Sequence, residues 1–240
     1  MYEPRTYREY VKADDLIKFE VIEKESDLLI LADTNLYDKA MLALLRCRAD
    51  LEKYIIEQHE FATTLKPYRV SLAASQIIKD MAGAAKKVGV GPMAAVAGVI
   101  AEYVGHELLK YGKEVIVENG GDIFLKINKT RRIGVYAGNS PFSEKIALEI
   151  DPKDTPCGVC TSSGTVGHSL SFGKADAVCV ITKSTALADA AATAIGNVVQ
   201  DVKTVQDGLN LSKKIRGLLG VLIIKDDQMG ILGKIKISPI

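Results

Sequence analysis

A carboxylate and a hydroxyl lie four residues apart in an alanine-rich stretch, ALADAAATAIG, residues 186–196. If this stretch is helical, Asp189 and Thr193 lie on one face, a single turn apart. Two hard oxygen donors in that arrangement suit Mg²⁺ or Ca²⁺. The alternative is an acid stabilised by the helix dipole, with Thr193 merely packed. Spacing alone favours this alternative, because an unpaired charge among alanines is costly to bury.

A second stretch, CTSSGTVGHSLSFGKAD, residues 160–176, is more than half Ser, Thr and Gly. Small residues of this kind let backbone N–H groups approach phosphate oxygens. His168 is the only histidine outside a predicted helix and is therefore the candidate base. The composition is also typical of any polar surface loop, which is the alternative interpretation.

A third pattern is Cys157-Gly-Val-Cys160. A CxxC motif indicates a redox pair or half of a zinc site, but no second CxxC or suitable histidine pair completes a zinc site. On one continuous strand the two thiols point to opposite faces, so they cooperate only if Gly158 breaks the strand. Buried inert thiols are the favoured interpretation.

The fourth pattern is ENGGDI, residues 118–123, between two apolar segments. A hairpin turn explains it, and so does a backbone that must approach a ligand closely. We predict that Gly120 and Gly121 leave the backbone bare for a ligand. Asp122 is expected to start the return strand and to fix the loop by local hydrogen bonds.

Composition argues against two classes of protein. The formal net charge is +1 over 240 residues, with no long basic run and 6% aromatic residues, so nothing indicates nucleic-acid binding. The N-terminus is charged and lacks the apolar core of a signal peptide, and the uncharged residues 88–100 are too few to span a membrane. We therefore predict a cytoplasmic protein with no membrane partner and with reduced cysteines.

Hydrophobic periodicity predicts strands and helices in a repeated order. Strands are predicted at 16–23, 27–32, 114–117, 123–127, 133–136, 146–150, 159–162, 177–182, 220–224 and 230–235, and helices at 35–61, 73–87, 92–110, 186–199 and 202–211. The order is a ββααββ unit, loosely doubled, which indicates an α+β fold with antiparallel sheets and helices packed on one face. No Pro-, Gly- or Ser-rich linker separates the approximate halves, 1–128 and 129–240, so we predict one domain over residues 1–240.

Three blocks occur in the order of a known family: GPMAAVAGVIAEYVG, VIVENGGDI and TSSG…GHS…G…ADA…ALADAAATAIG. The chain resembles the ApbE-like proteins, whose best-known members are Mg²⁺-dependent FAD:protein FMN transferases. It is most similar to a cytoplasmic ApbE-like subfamily of archaea and anaerobic bacteria, which shares the N-terminal RTYRE and EKESDLLILA. The resemblance implies two fused T-fold-like halves.

The resemblance also implies roles for individual residues. Asp189 and Thr193 match the metal-ligand pair of the family, which reverses the preference from spacing alone, and His168 matches a histidine of the pocket. A flavin-nucleotide pocket and its phosphate segment match two further groups of residues: Asn119, Gly120, Gly121 and Asp122, and Thr161, Ser162, Ser163 and Gly164.

The chain departs from the transferases in two places. The Lys-Gly-Tyr of the family becomes Ala97, Gly98 and Val99, so the lysine and the aromatic ring are absent, although a backbone carbonyl near Val96 remains available to a metal. The His-x-x-x-Pro-x-Thr-Gly pattern is shortened to the residues 168–173.

Three functions remain open from the sequence. The first is Mg²⁺-dependent binding of FAD, FMN or a related nucleotide diphosphate, with nucleotidyl or FMN transfer or pyrophosphate cleavage as the activity. There the backbone N–H groups of Gly120, Gly121, Ser163 and Gly164 would hold the ligand. The second is sulfur carriage or sulfide assimilation by Cys157 and Cys160, an association implied by the subfamily. The third is a non-catalytic scaffold for a homo-oligomer or a partner.

Overall fold

The computed structural model describes Arg8, residues 13–166 and residues 171–240. His168, the predicted base, lies outside these described residues.

Eight antiparallel strands form the main sheet, in the order β1-β2-β3-β4-β7-β8-β9-β10. Neighbours in the sheet are therefore almost always neighbours in the chain, as in a meander. The strand bounds are β1 Ile17–Glu23, β2 Ser26–Ala32, β3 Val115–Asn119, β4 Asp122–Lys126, β7 Cys157–Ser162, β8 Ala177–Thr182, β9 Leu218–Lys225 and β10 Gln228–Gly233.

A second sheet contains three strands in the order β11-β6-β5. Its members are β5 Arg131–Gly134, β6 Ile146–Ile150 and β11 Ile237–Pro239. The first two were expected from the sequence, whereas β11 is short, contains a proline and was not. An alternating pattern identifies a strand but not the sheet that it joins. The sequence therefore did not show that these strands form a second sheet.

Six helices were found, against five predicted, among the described residues. They are α1 Tyr37–Glu57, α2 Glu60–Thr63, α3 Gln76–Val88, α4 Val96–Leu108, α5 Thr185–Val198 and α6 Val205–Ser212. The helix predicted at 35–61 is divided into α1 and α2, and the one predicted to begin near Pro92 starts with a 3₁₀ turn, Pro92–Ala95, before α4.

The main sheet is the middle layer of the molecule. Along β3, Val115 and Val117 pack against the helices, while Ile116 packs towards the second sheet. The period of two thus sends alternate side chains into two separate cores. The α+β class, the antiparallel sheets and the packing of the helices on one face are confirmed; the T-fold-like duplication stays a prediction.

Among the described residues, no single helix has both the length and the apolarity to cross a membrane. Helix α3 and the segment from Pro92 to Leu108 are long and apolar enough only when they are taken together, and the chain bends by 103° between them.

Candidate functional site

Helix α5 is buried on almost every side. Within it only Asp189, Thr193, Asn197 and Val198 reach solvent. The first three are spaced by four residues, so they form a polar stripe along one face with a rise of about 6 Å per step. The structure therefore places Asp189 and Thr193 together as their spacing predicts, and the same spacing would have found Asn197.

Helix α4 holds α5 at two points. The Gly98 N–H donates a hydrogen bond of 2.8 Å to Asp189 Oδ2. One turn further along α4, Glu102 Oε2 accepts hydrogen bonds from the Ala186 N–H and the Ser184 hydroxyl at 3.0 and 3.2 Å. The two contacts fix the position of Asp189, and the Ala97 N–H also interacts with its carboxylate.

Gly98 occupies a place where the two helices approach closely. A Cβ there would lie 2.5 Å from the Thr185 carbonyl oxygen and 2.7 Å from Asp189 Cβ. Only glycine fits this contact. In the sequence, Gly98 is the retained glycine of the family's Lys-Gly-Tyr, between the two departures Ala97 and Val99, and its packing role does not follow from that match.

The ENGGDI segment forms a two-residue turn between β3 and β4, with Asn119 paired to Asp122. Gly120 and Gly121 have φ values of +66° and +99°, which favour glycine. The Asn119 side-chain amide donates to the Ala97 carbonyl oxygen at 3.1 Å. This contact places the turn beside the start of α4, and hence beside Asp189.

Open space adjoins one glycine of the turn. A Cβ on Gly120 would have no heavy atom within 4 Å, and its N–H has no partner among the described residues. The predicted bare backbone is thus present at Gly120. The Gly121 N–H, in contrast, donates to Glu118 Oε1 at 2.8 Å and is not a free donor for a ligand.

Asp122 begins β4, as predicted, but the expectation that it fixes the turn by local hydrogen bonds is wrong. The hydrogen-bond partner of its carboxylate among the described residues is the Cys160 thiol on β7, and Glu118 holds the turn instead. Glu118 is 1% exposed and its other oxygen accepts from Arg8 Nε at 2.7 Å. The Arg8–Glu118 contact joins residues 110 positions apart, a distance over which sequence periodicity carries no information.

Asp122 and Asp189 form a pair of crowded acids. Desolvation raises the pKa of Asp122 well above its ordinary value, and the charge of Asp189 raises it further. Asp189 is half-buried, but protein atoms surround its carboxylate closely. Desolvation raises the pKa of Asp189 to about 7, although the hydrogen bonds from the N–H groups of Gly98 and Ala97 lower it. No Lys, Arg or His in the described part of the chain forms an ion pair with either acid.

The two cysteines of the CxxC motif face opposite sides of β7, because the strand continues through Gly158. Cys157 packs towards the second sheet and Cys160 towards α5. The Cys160 thiol donates to the Thr185 carbonyl oxygen at 3.4 Å. Burial raises the pKa of Cys157 to about 12 and that of Cys160 well above its usual range. The interpretation in which these two thiols cooperate is therefore wrong.

The side chains of the TSSG segment, residues 161–164, do not all point towards α5. The Thr161 hydroxyl donates to Cys179 Sγ at 3.3 Å, on the face of the sheet away from α5, so its side chain does not belong to the site. Ser162 faces α5, since a Cβ on Gly196 would lie 3.6 Å from its Oγ. Its hydroxyl has no hydrogen-bond partner among residues that the structure describes.

Ser163 and Gly164 build the following loop. Ser163 Oγ accepts from the N–H groups of Thr165 and Val166 at 3.1 and 3.0 Å. The Gly164 N–H donates to the Ala175 carbonyl oxygen at 2.8 Å, so it is not available to a phosphate, contrary to expectation. Downstream, the Phe172 N–H donates to Asn197 Oδ1 at 2.9 Å, which ties the loop to the end of the α5 stripe.

The oxygen donors of Asp189 and Thr193 suit a hard divalent cation that keeps part of its shell of waters, and not an ion that the protein encloses completely. Within the described ranges no group of three or more His, Cys, Asp or Glu side chains could enclose a metal ion. Mg²⁺, however, is usually held by one or two carboxylates together with waters and substrate phosphates. Asp189 Oδ1 and the Thr193 hydroxyl, which has no partner among the described residues, are a donor pair of that kind.

A separate cavity of about 560 Å³ lies between the C-terminal part of α1 and residues 68–75. None of the site residues lines it. The α5 stripe and the glycine turn are therefore distinct from this cavity.

Comparison with known proteins gives a consistent result. A family model described as "AbpE bacteria" matches residues 8–212. A UPF0280 protein of Methanococcus aeolicus is 42% identical over 225 residues, covering 91% of this chain and 90% of that protein. A UPF0280 protein of Methanocaldococcus jannaschii is 42% identical over 224 residues and covers 91% of each chain.

Solved structures with the same fold include two flavin transferases. The apo form of the Pseudomonas stutzeri flavinyl transferase ApbE has a TM-score of 0.57 and 14% identity, over 90% of this chain and 94% of that one. The flavin transferase ApbE of Vibrio cholerae has a TM-score of 0.58 and 13% identity, over 90% and 96%. At such low identity the likeness establishes the fold.

Proposed function

Because the chain belongs to the AbpE bacteria family, as an ApbE-like protein similar to the archaeal UPF0280 proteins, we propose that it binds a nucleotide diphosphate of the flavin type together with a divalent metal ion. The ligand would lie between the glycine turn of residues 119–122 and the polar stripe of α5.

One observation carries the proposal: Asp122 and Asp189 share a desolvated site in which no described cation neutralises them. Crowded carboxylates without a counter-ion are costly in a folded protein, and they occur where a ligand or a metal balances them. The raised pKa values of both acids express that cost. A divalent cation would remove it.

Individual residues would have separate tasks. Asp189 Oδ1 and the Thr193 hydroxyl would hold the metal, while Gly98 keeps Asp189 oriented. Bound there, Mg²⁺ would offset the negative charge of phosphate oxygens. The Gly120 backbone N–H and the Ser162 hydroxyl, neither of which has a hydrogen-bond partner among the described residues, would contact the ligand directly.

The reaction class that fits this arrangement is attack on a pyrophosphate linkage, as nucleotidyl or FMN transfer or as hydrolysis. The nucleophile would be water or an acceptor hydroxyl. His168, two residues beyond the described Val166, is the candidate general base. The structural neighbours from Pseudomonas stutzeri and Vibrio cholerae are flavin transferases, and this supports the flavin class among nucleotides.

Titration calorimetry with FAD, FMN and ADP, each with and without Mg²⁺, tests the proposal. We expect binding that requires the metal and that weakens at least about 100-fold in Asp189→Asn, roughly 2.7 kcal/mol. Asp207→Asn, at an exposed position of α6, is the matched control and should bind like the parent. Absence of binding to all three nucleotides by the folded parent would contradict the proposal and favour the scaffold interpretation.

A further inference from the structure

We propose that Arg8 is a positioning residue for the ligand-binding turn, acting through Glu118. The inference rests on the proposed function in one respect: it takes the backbone at Gly120 as part of the binding surface. It assigns to Arg8 the task of holding the turn and not of contacting the ligand.

Arg8 lies against the end of the main sheet where β1 and β3 end and β2 begins. Its guanidinium donates to Glu118 Oε2 at 2.7 Å, to Asp27 Oδ1 at 2.9 Å and to the Asp27 carbonyl oxygen at 2.7 Å. A fourth, longer contact of 3.3 Å reaches Glu20. Arg8 is 8% exposed, so these hydrogen bonds form largely away from water, where they are strong.

Glu118 divides its two oxygens between two partners. Oε2 meets Arg8, and Oε1 accepts the Gly121 N–H at 2.8 Å. A carboxylate that is 1% exposed is costly to bury without a compensating charge. The guanidinium therefore maintains the acceptor that the Gly121 N–H requires.

The turn needs such an anchor because it consists of two glycines. Without side chains, Gly120 and Gly121 reach more backbone conformations than any other pair of residues. The hydrogen bond at Gly121 selects one conformation, in which Gly120 faces open space. Loss of the anchor would spread the turn over several conformers and lower the fraction able to bind a ligand.

A matched network lies at the opposite end of the same strand. Arg131, 7% exposed, donates through Nε to Glu114 Oε1 at 3.0 Å and also meets Asp15. Glu114 immediately precedes β3, as Glu118 lies near its end. The Arg131 network has the same chemistry and burial, but none of its described contacts reaches the turn.

The experiment compares Arg8→Lys with Arg131→Lys. Amide hydrogen exchange, followed by NMR at Gly121, should be at least about tenfold faster in Arg8→Lys than in the parent and unchanged in Arg131→Lys. Affinity for FMN with Mg²⁺ should fall about tenfold in Arg8→Lys only, since a broken anchor reduces the binding-competent fraction. Both variants are expected to lose comparable stability.

Unchanged exchange at Gly121 in Arg8→Lys, or an equal loss of affinity in Arg131→Lys, would overturn the inference. If the parent binds no nucleotide, the proposed function fails, while the exchange measurement still decides whether Arg8 holds the turn. Should Arg8→Lys not fold, Glu118→Asp keeps the charge beside Arg8 but shortens the side chain by one methylene group, so its carboxylate no longer reaches the Gly121 N–H. It is expected to show the same faster exchange at Gly121.

Discussion

The β3–β4 turn lies between two clusters of acids that the fold treats in opposite ways. On one side is the compensated cluster, formed by Arg8, Glu20, Asp27 and Glu118, in which a guanidinium meets three carboxylates. On the other side is the uncompensated cluster, formed by Asp122, Cys160 and Asp189, which contains no described cation.

The difference distinguishes an acid that builds the site from an acid that serves a ligand. Glu118 and Asp122 are four residues apart in one hairpin, and both are buried. Glu118 is neutralised by the protein and can hold the turn rigidly. Asp122, beside Asp189, is left for something outside the chain to neutralise. Burial alone does not separate these two roles, whereas the presence of a partner does.

The largest expected effect is on the compensated cluster. Glu118→Gln should lower the free energy of unfolding by about 3–5 kcal/mol, because it leaves the Arg8 charge buried without its shortest ion pair. Urea denaturation at pH 7 measures this loss. A change below about 1 kcal/mol would mean that Asp27 and Glu20 compensate Arg8 on their own, and the comparison between the clusters would weaken.

The uncompensated cluster should respond in the opposite direction. Desolvation raises the pKa of Asp189 to about 7 in the folded protein, against about 4 in an unfolded chain. The folded protein then binds more protons than the unfolded chain between these two values. Its stability must therefore fall as the pH rises from about 4 through 7.

Asp189→Asn should remove the contribution of Asp189 to this slope. The amide oxygen can still accept the Gly98 N–H, but no proton is bound or released. In metal-free buffer at pH 8 the variant is expected to be more stable than the parent by roughly 2–4 kcal/mol, and equal to it near pH 4. Urea denaturation across this range, with and without Mg²⁺, gives the measurement. A parent as stable as the variant at pH 8 without metal would show that Asp189 is already compensated.

Much of the architecture was predictable from local pattern. Strands such as Ile146–Ile150 and Ala177–Thr182 match their predicted bounds, because alternation and β-branched residues mark them clearly. The resemblance to an ApbE-like archaeal subfamily is confirmed by the family model and the relatives. The spacing of Asp189 and Thr193 placed them correctly on one helix face.

What the sequence did not reveal depends on contacts between distant residues. The role of Glu118 requires Arg8, and the close approach at Gly98 requires α5, and neither follows from a local pattern. The side chain of Thr161 was placed in the site, but the strand register turns it to the other face of the sheet. Motif resemblance assigns a segment to a pocket, whereas the pleat decides which of its side chains enter.

The smallest expected effect concerns the turn itself, where the two clusters meet. Gly120 and Gly89 both have positive φ values, +66° and +81°, and a Cβ on either would meet nothing within 4 Å. Alanine at each position should therefore cost about 1 kcal/mol of stability through backbone strain alone. Gly89 ends α3 and lies outside the site, so it is the matched control.

Binding should separate the two alanine variants. If a ligand lies against the Gly120 backbone, the added methyl group of Gly120→Ala occupies its space, and affinity for FMN with Mg²⁺ should fall beyond the stability cost. Gly89→Ala should bind like the parent. Equal affinities would show that the open space beside Gly120 is not ligand space, and the turn would then act only as the link between the compensated and the uncompensated cluster.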